Sequence, residues 1–209
     1  MLNTFIIALR EGLEACLIVG ILVAYIVKTD RKGYLKPLWT GVVAAVIASI
    51  ALGAFLTRTS VSLSERGEWL FAGVTSFIAV ALVTWMVFWM KRTARTLRNE
   101  LHGKLDTAVA TGPLALAGVA FIAVIREGLE TSLFVYTNFQ TVDSVTSSTI
   151  GLILGFAVSI TLGYLIYKSA IRLNLAKFFT YSGVALIIVA AGVLSYGIHE
   201  FQELSYLPG

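Results

Sequence analysis

An all-α membrane protein is predicted from three features of the sequence. Of its 209 residues 57% are hydrophobic and only 13% charged. The apolar residues fall in runs long enough to cross a bilayer. A charged pentapeptide, Arg-Glu-Gly-Leu-Glu, occurs inside two of those runs, at 10–14 and 126–130. A soluble domain carries about 25% charged residues, so this chain lacks the polar surface to stay in water. A spanning helix takes about 20 mostly apolar residues, and six stretches qualify: 2–27, 38–57, 69–90, 112–138, 149–168 and 178–198. The first has neither a basic flank nor a small-residue cleavage site before it, so it reads as a span rather than a signal peptide. The whole chain, 1–209, is expected to form one transmembrane domain.

The net charge of +4 does not point to nucleic acid, because the basic residues sit in short loops between spans. Lys28, Arg31, Lys32 and Lys36 follow the first span. Lys91, Arg92, Arg95, Arg98 and Lys104 follow the third, and Lys168, Arg172 and Lys177 follow the fifth. All three loops fall on one side of the membrane, and the other side keeps Arg58 and Arg66. Basic loops stay in the cytoplasm, which places the N-terminus outside it. The lone Cys16 excludes an intrachain disulfide and any multi-cysteine metal site.

The two halves repeat. SIALG at 49–53 matches SITLG at 159–163, Gly41 matches Gly151, and Gly73-Val74 matches Gly183-Val184, all at an offset of 110; the two REGLE copies lie 116 apart. A repeat of three spans, 1–100, followed by a second, 101–209, must be inverted in the membrane because three is odd. Transporters built this way hold their substrate near the midplane, between the repeats. The second and fifth spans also carry small residues every fourth position: Gly41, Ala45, Ser49 and Gly53, and Gly151, Gly155, Ser159 and Gly163. That spacing lets helices approach closely and is read as packing.

Each charge at a helix centre costs roughly 2.5–3.5 kcal/mol on insertion, so a motif that places three there twice calls for a function. Residues three and four apart share a helix face. Glu11 therefore lies beside Glu14 and Glu127 beside Glu130, while Arg10 can reach Glu14 and Arg126 can reach Glu130. Gly12 and Gly128 remove bulk beside the carboxylates and let the helices bearing them come together. Four carboxylates and two guanidiniums then meet near mid-membrane with a formal charge of −2. Carboxylate oxygens suit a hard cation; the arginines limit repulsion in the empty site and ease release. Ligation needs ionised carboxylates, so binding is expected to weaken as pH falls. The competing reading is a pair of buried ion pairs that merely lock helices together. Toward the outer side, Thr4, Glu65, Glu68, Asn138, His199, Glu200 and Glu203 form a candidate relay for an incoming ion, with solvated loop ends as the alternative. Trp39, Trp69 and Trp89 read as interfacial anchors.

With these residues in hand, the chain resembles the oxidase-dependent iron permease family, which includes fungal high-affinity ferric permeases and bacterial EfeU-type permeases. The resemblance rests on REGLEA at 10–15, REGLET at 126–131, TWMVFWM at 84–90, IRLNL at 171–175 and AAGVLSYGIHEFQE at 190–203. It implies iron uptake across the plasma (inner) membrane, with ferric ion passing to the cytoplasm through Glu11, Glu14, Glu127 and Glu130, and Arg10 and Arg126 as their motif partners. Iron would be the transported substrate, with no permanently bound cofactor and no enzymatic activity. An oxidase would deliver it: a multicopper oxidase, or a periplasmic EfeO- or EfeB-like protein. Relatives carry a seventh span, which is missing from these 209 residues. A homo-oligomer is compatible with the sequence. A permease for another cation, such as lead or manganese, stays open. An intramembrane metal-dependent oxidoreductase is disfavoured, because His102 and His199, the two histidines, both lie outside the motifs and redox sites in helical bundles use His as a ligand.

Overall fold

A computed structural model describes residues 1–93, 97–140, 144–168 and 174–204. The loop charges Arg95, Asp143 and Arg172 lie outside the described residues, as do the side chains of Glu65 and His102. The described chain is helical without strands: α1 (Leu2–Lys28), α2 (Leu35–Ser62), α3 (Glu65–Thr93), α4 (Leu97–Thr111), α5 (Pro113–Gln140), α6 (Val145–Tyr167) and α7 (Leu175–Glu203). Six of these fall on the six stretches expected from the sequence. Four segments are apolar and long enough by themselves to cross a membrane: Lys32–Ser60, Arg66–Trp89, Val145–Tyr167 and Lys177–Glu203. α1 and α5 match them in length but carry the REGLE charges at their centres.

Local chemistry sets the helix ends. After α1, Asp30 takes a left-handed conformation, φ 55°, and the Arg31 N–H returns to the Ile26 carbonyl; the chain then reverses through one 3-10 turn, Lys32–Tyr34, into α2. Short polar side chains tolerate that conformation best after glycine. Between α4 and α5, Gly112 at φ 132° precedes Pro113, whose fixed φ and missing N–H suit the first helical position. Ser144 and Asn174 cap α6 and α7 by accepting from the Ser147 and Lys177 backbone N–H groups.

α4 was not foreseen. Its apolar residues Leu101, Leu105, Ala108 and Val109 are buried and recur at helical spacing on one face. They complete a cluster with Ile18, Leu22 and Ile26 of α1, Leu38 and Val42 of α2, and Leu116 and Ala120 of α5. α4 also runs across the expected repeat boundary at 100/101.

The packing is the reverse of a soluble protein's. On α6 the buried residues are Ser148, Gly151, Gly155, Ser159 and Gly163, whereas Ile150, Ile153, Leu154, Val158 and Ile160 face outward. Small residues on the inside permit close backbone approach, and an apolar exterior needs lipid around it. α1 packs along α6, α2 along α5, and α3 along α7, with α1 against α5 at the centre.

The close contacts come in equivalent pairs. Gly41 abuts the backbone carbonyl of Ala117, and Gly151 that of Met1. Gly128 abuts Ser49, and Gly12 abuts Ser159. Gly53 faces Ser132, and Gly163 faces Cys16. In each pair the α2 and α6 members differ by 110 and the α5 and α1 members by 116. The motif glycines therefore do not bring α1 and α5 together, as the sequence suggested. Each seats the second helix of the opposite half. A Cβ at Gly41 would meet backbone, which cannot rotate away. Gly41→Ala is expected to cost about 1–3 kcal/mol, read as a lower unfolding temperature in detergent. Gly118→Ala, where a Cβ meets nothing within 4 Å, should not lower it.

Candidate metal centre

The two motifs meet where α1 and α5 cross. Arg10, Glu11, Glu14, Glu127 and Glu130 are all buried. Glu11, Glu14 and Glu127 each present a carboxylate oxygen within 4.8 Å of the other two. Oxygens gathered from two helices in this way can share one cation, since hard cations take carboxylate oxygens as ligands. Glu11 Oε2, Glu127 Oε2 and Glu130 Oε2 are buried with no hydrogen-bond partner among the described residues. An unsatisfied buried carboxylate oxygen is costly, and a bound cation would relieve that cost.

The arginines are not equivalent. Arg10 Nη1 lies 2.8 Å from Glu11 Oε1 and Nη2 3.0 Å from Glu14 Oε1, and its side chain is 1% exposed. Nη2 also contacts the Met86 sulfur of α3. Arg126 donates from Nε to Glu130 Oε1 at 3.2 Å and stands 4.0 Å from Glu127 Oε1, with its side chain 31% exposed. Its guanidinium lies over two rings of α3, 4.0 Å from the Trp89 centroid and 5.7 Å from that of Trp85. Trp89, expected to be an interfacial anchor, thus contacts the motif itself. Four carboxylates were expected to converge; three do within that distance, while Glu130 is hydrogen-bonded to Arg126.

A cavity of about 890 Å³ runs from Glu11 and Glu127 between α2, α5 and α6 to Ser60 of α2, Glu68 of α3 and Gln140 of α5. Its deep end is walled by Gly12, Ser49, Gly128 and Ser132, its length by Thr57, Thr131 and Tyr136. At the far end the Gln140 amide donates to Ser60 Oγ and Tyr136 Oη, at 3.2 and 3.1 Å, and Ser60 Oγ donates to Glu68 Oε1 at 3.5 Å.

Residues 1–209 match the profile of the Iron permease FTR1 family. The chain belongs to that family. It is 38% identical over 206 residues to the ferrous iron permease EfeU of Escherichia coli O6:H1, covering 97% of this chain and 74% of the relative. The ferrous iron permease EfeU of Yersinia pestis is 37% identical over 206 residues, with 97% of this chain and 73% of the relative covered. No solved structure matches.

In this FTR1-family chain the candidate outer residues scatter. Glu68 lines the mouth of the cavity. Glu200 is buried. His199 and Glu203 pair at 3.7 Å but are 64% and 50% exposed, and neither lines the cavity. Thr4 is buried and donates to the Met1 carbonyl at 2.8 Å, and Asn138 is buried on α5; neither lines the cavity either. The side chain of Glu65 lies outside the described residues. Tyr136, Gln140 and Ser60 were missed by the sequence reading, because uncharged polar residues near helix ends carry no pattern of their own.

Proposed function

We propose that the protein is an iron permease of the plasma (inner) membrane, carrying iron into the cytoplasm through the carboxylates of both REGLE motifs. The observation that carries this is the cluster of Glu11, Glu14 and Glu127 oxygens within 4.8 Å of one another, with Glu11 and Glu127 also lining the 890 Å³ cavity. Charged groups inside a bundle mark ion pathways, and a pair of structural locks would need neither the cavity nor the unsatisfied oxygens. Membership of the family and the permease relatives support transport rather than catalysis. α1, α2, α3, α5, α6 and α7 would then be six spans in two inverted three-helix repeats, linked through α4. The paired glycine contacts support this, since exchanging the halves maps each contact onto its counterpart.

With the N-terminus outside, the cavity mouth at Ser60, Glu68 and Gln140 faces outward and the apolar cluster around Leu22, Leu105 and Leu116 lies on the cytoplasmic side. The site would take iron from outside. The relatives are named for ferrous ion, whereas an all-oxygen donor set also suits the harder ferric ion. Uptake of radioactive iron into liposomes tests both. Entry of ferrous ion without oxidant supports a ferrous cycle, and entry only with an oxidase or EfeO- or EfeB-like partner supports ferric delivery. Saturable flux of manganese or lead with iron excluded would overturn the iron assignment.

The route makes its own prediction. Thr57 lines the cavity and Phe55 faces outward beside it without lining it. In a Cys16→Ala background, Thr57→Cys treated from outside with a membrane-impermeant charged thiol reagent should lose at least about fivefold in iron uptake, as expected when a bulky charge fills a pathway. Phe55→Cys should be unaffected. Unchanged uptake by labelled Thr57→Cys would rule out this cavity as the route.

A further inference from the structure

Arg10 and Arg126 occupy the same motif position yet are held very differently. Arg10 is sealed in, with ion pairs of 2.8 and 3.0 Å to both glutamates of its own motif. Arg126 is a third exposed and hydrogen-bonded to Glu130 through Nε at 3.2 Å. Its Nη2 is buried without a hydrogen-bond partner among the described residues, against the rings of Trp85 and Trp89. Cation–π attraction operates within about 6 Å of a ring centroid, is strongest for Trp, and grows where water is excluded.

We propose that Arg126 is the movable counter-charge of the site and that Trp89, assisted by Trp85, is the positioning residue that holds it when a cation takes its carboxylates. The proposal rests on the iron-binding reading above. In the structure Arg126 keeps Glu130 occupied, and three of the four motif carboxylates gather. A cation arriving at Glu11, Glu14 and Glu127 gains its fourth carboxylate only if Arg126 gives up Glu130. A guanidinium released into apolar surroundings would be costly, but this one already lies over an indole face and needs to give up only its 3.2 Å hydrogen bond to Glu130 and a looser 4.0 Å ion pair with Glu127. On release of the ion Arg126 returns to Glu130 and competes against rebinding. Arg10, with no ring over its guanidinium among the described residues and with two short ion pairs, stays in place as the fixed charge.

The test is equilibrium binding of radioactive ferrous ion, under anaerobic conditions, to the purified full chain in detergent. Trp89→Leu should weaken binding roughly five- to tenfold, the scale of a partly desolvated cation–π contact, and Trp89→Phe, which keeps a ring face, should stay within about twofold of the parent. In an Arg126→Gln background, binding should persist, since Glu130 is freed, and Trp89→Leu should then change it by less than about twofold. Equal losses from Trp89→Leu in both backgrounds would assign the ring to packing and overturn the proposal. So would loss of binding in Arg126→Gln, or no effect of Trp89→Leu in the parent. Wild-type binding that survives Glu127→Gln would instead overturn the carboxylate site, and this inference with it.

Discussion

Glu127→Gln is expected to reduce iron uptake at least about a hundredfold while leaving the protein folded. The change keeps the shape of the side chain but replaces a carboxylate by a neutral amide. Glu127 supplies one of the three oxygens that lie within 4.8 Å of one another, and it alone of α5's glutamates lines the cavity. A hard cation bound by few ligands loses both charge and a donor, and an uncompensated change of that kind is worth several kcal/mol, where each 1.4 kcal/mol is about tenfold. Glu11→Gln should behave alike, since it faces the same cavity from α1. Glu130→Gln should do less harm to binding, because Glu130 lies outside the group of three. Uptake by proteoliposomes, with circular dichroism to check folding, measures all three. A Glu127→Gln protein that transports like the parent would return the motifs to a structural role.

The second large effect concerns stability and separates the two arginines. Arg10→Gln leaves Glu11 and Glu14 buried beside each other with their nearest positive charge gone. Removing one partner of a buried ion pair typically costs about 3–5 kcal/mol, a large share of a domain's whole stability. The variant is expected to unfold at markedly lower temperature or fail to accumulate. Arg126→Gln should fold, since Arg126 is partly exposed and Glu130 loses only one 3.2 Å hydrogen bond. It should bind iron but transport it slowly, for want of the charge that drives release. Thermal unfolding of the two variants in one detergent decides this; equal destabilisation would contradict the asymmetry.

Much of this was legible in the sequence, and the reasons differ by feature. The six long helices follow from apolar length alone, so 149–168 and 178–198 anticipate α6 and α7 to within a few residues. The meeting of both motifs follows from the cost of buried charge and from the repeat. The pairing of Arg10 with Glu14 and of Arg126 with Glu130 follows from helical spacing. What was missed depends on contacts between helices. α4 hides Leu101, Leu105, Ala108 and Val109 among charged and polar residues of both signs, Arg98, Glu100, Lys104 and Asp106. Gly12 and Gly128 show by their type that something comes close, but not that Ser159 and Ser49 do. Trp89 reads as an anchor by its position near a helix end, and only its distance to a guanidinium on another helix reveals more. His199 illustrates the opposite error: a residue type suited to metal, sitting at 64% exposure away from the cavity.

The most direct measurement is the position of the metal itself. Crystals or grids of the protein loaded with iron, or iron-edge absorption spectra of the loaded protein, would report the ligands. One iron atom with oxygen ligands from Glu11, Glu14 and Glu127, joined by Glu130 once Arg126 has released it and stayed over Trp89, is the predicted result. Iron held only at the Glu68, Ser60 and Gln140 mouth, with the REGLE ion pairs undisturbed, would contradict the account.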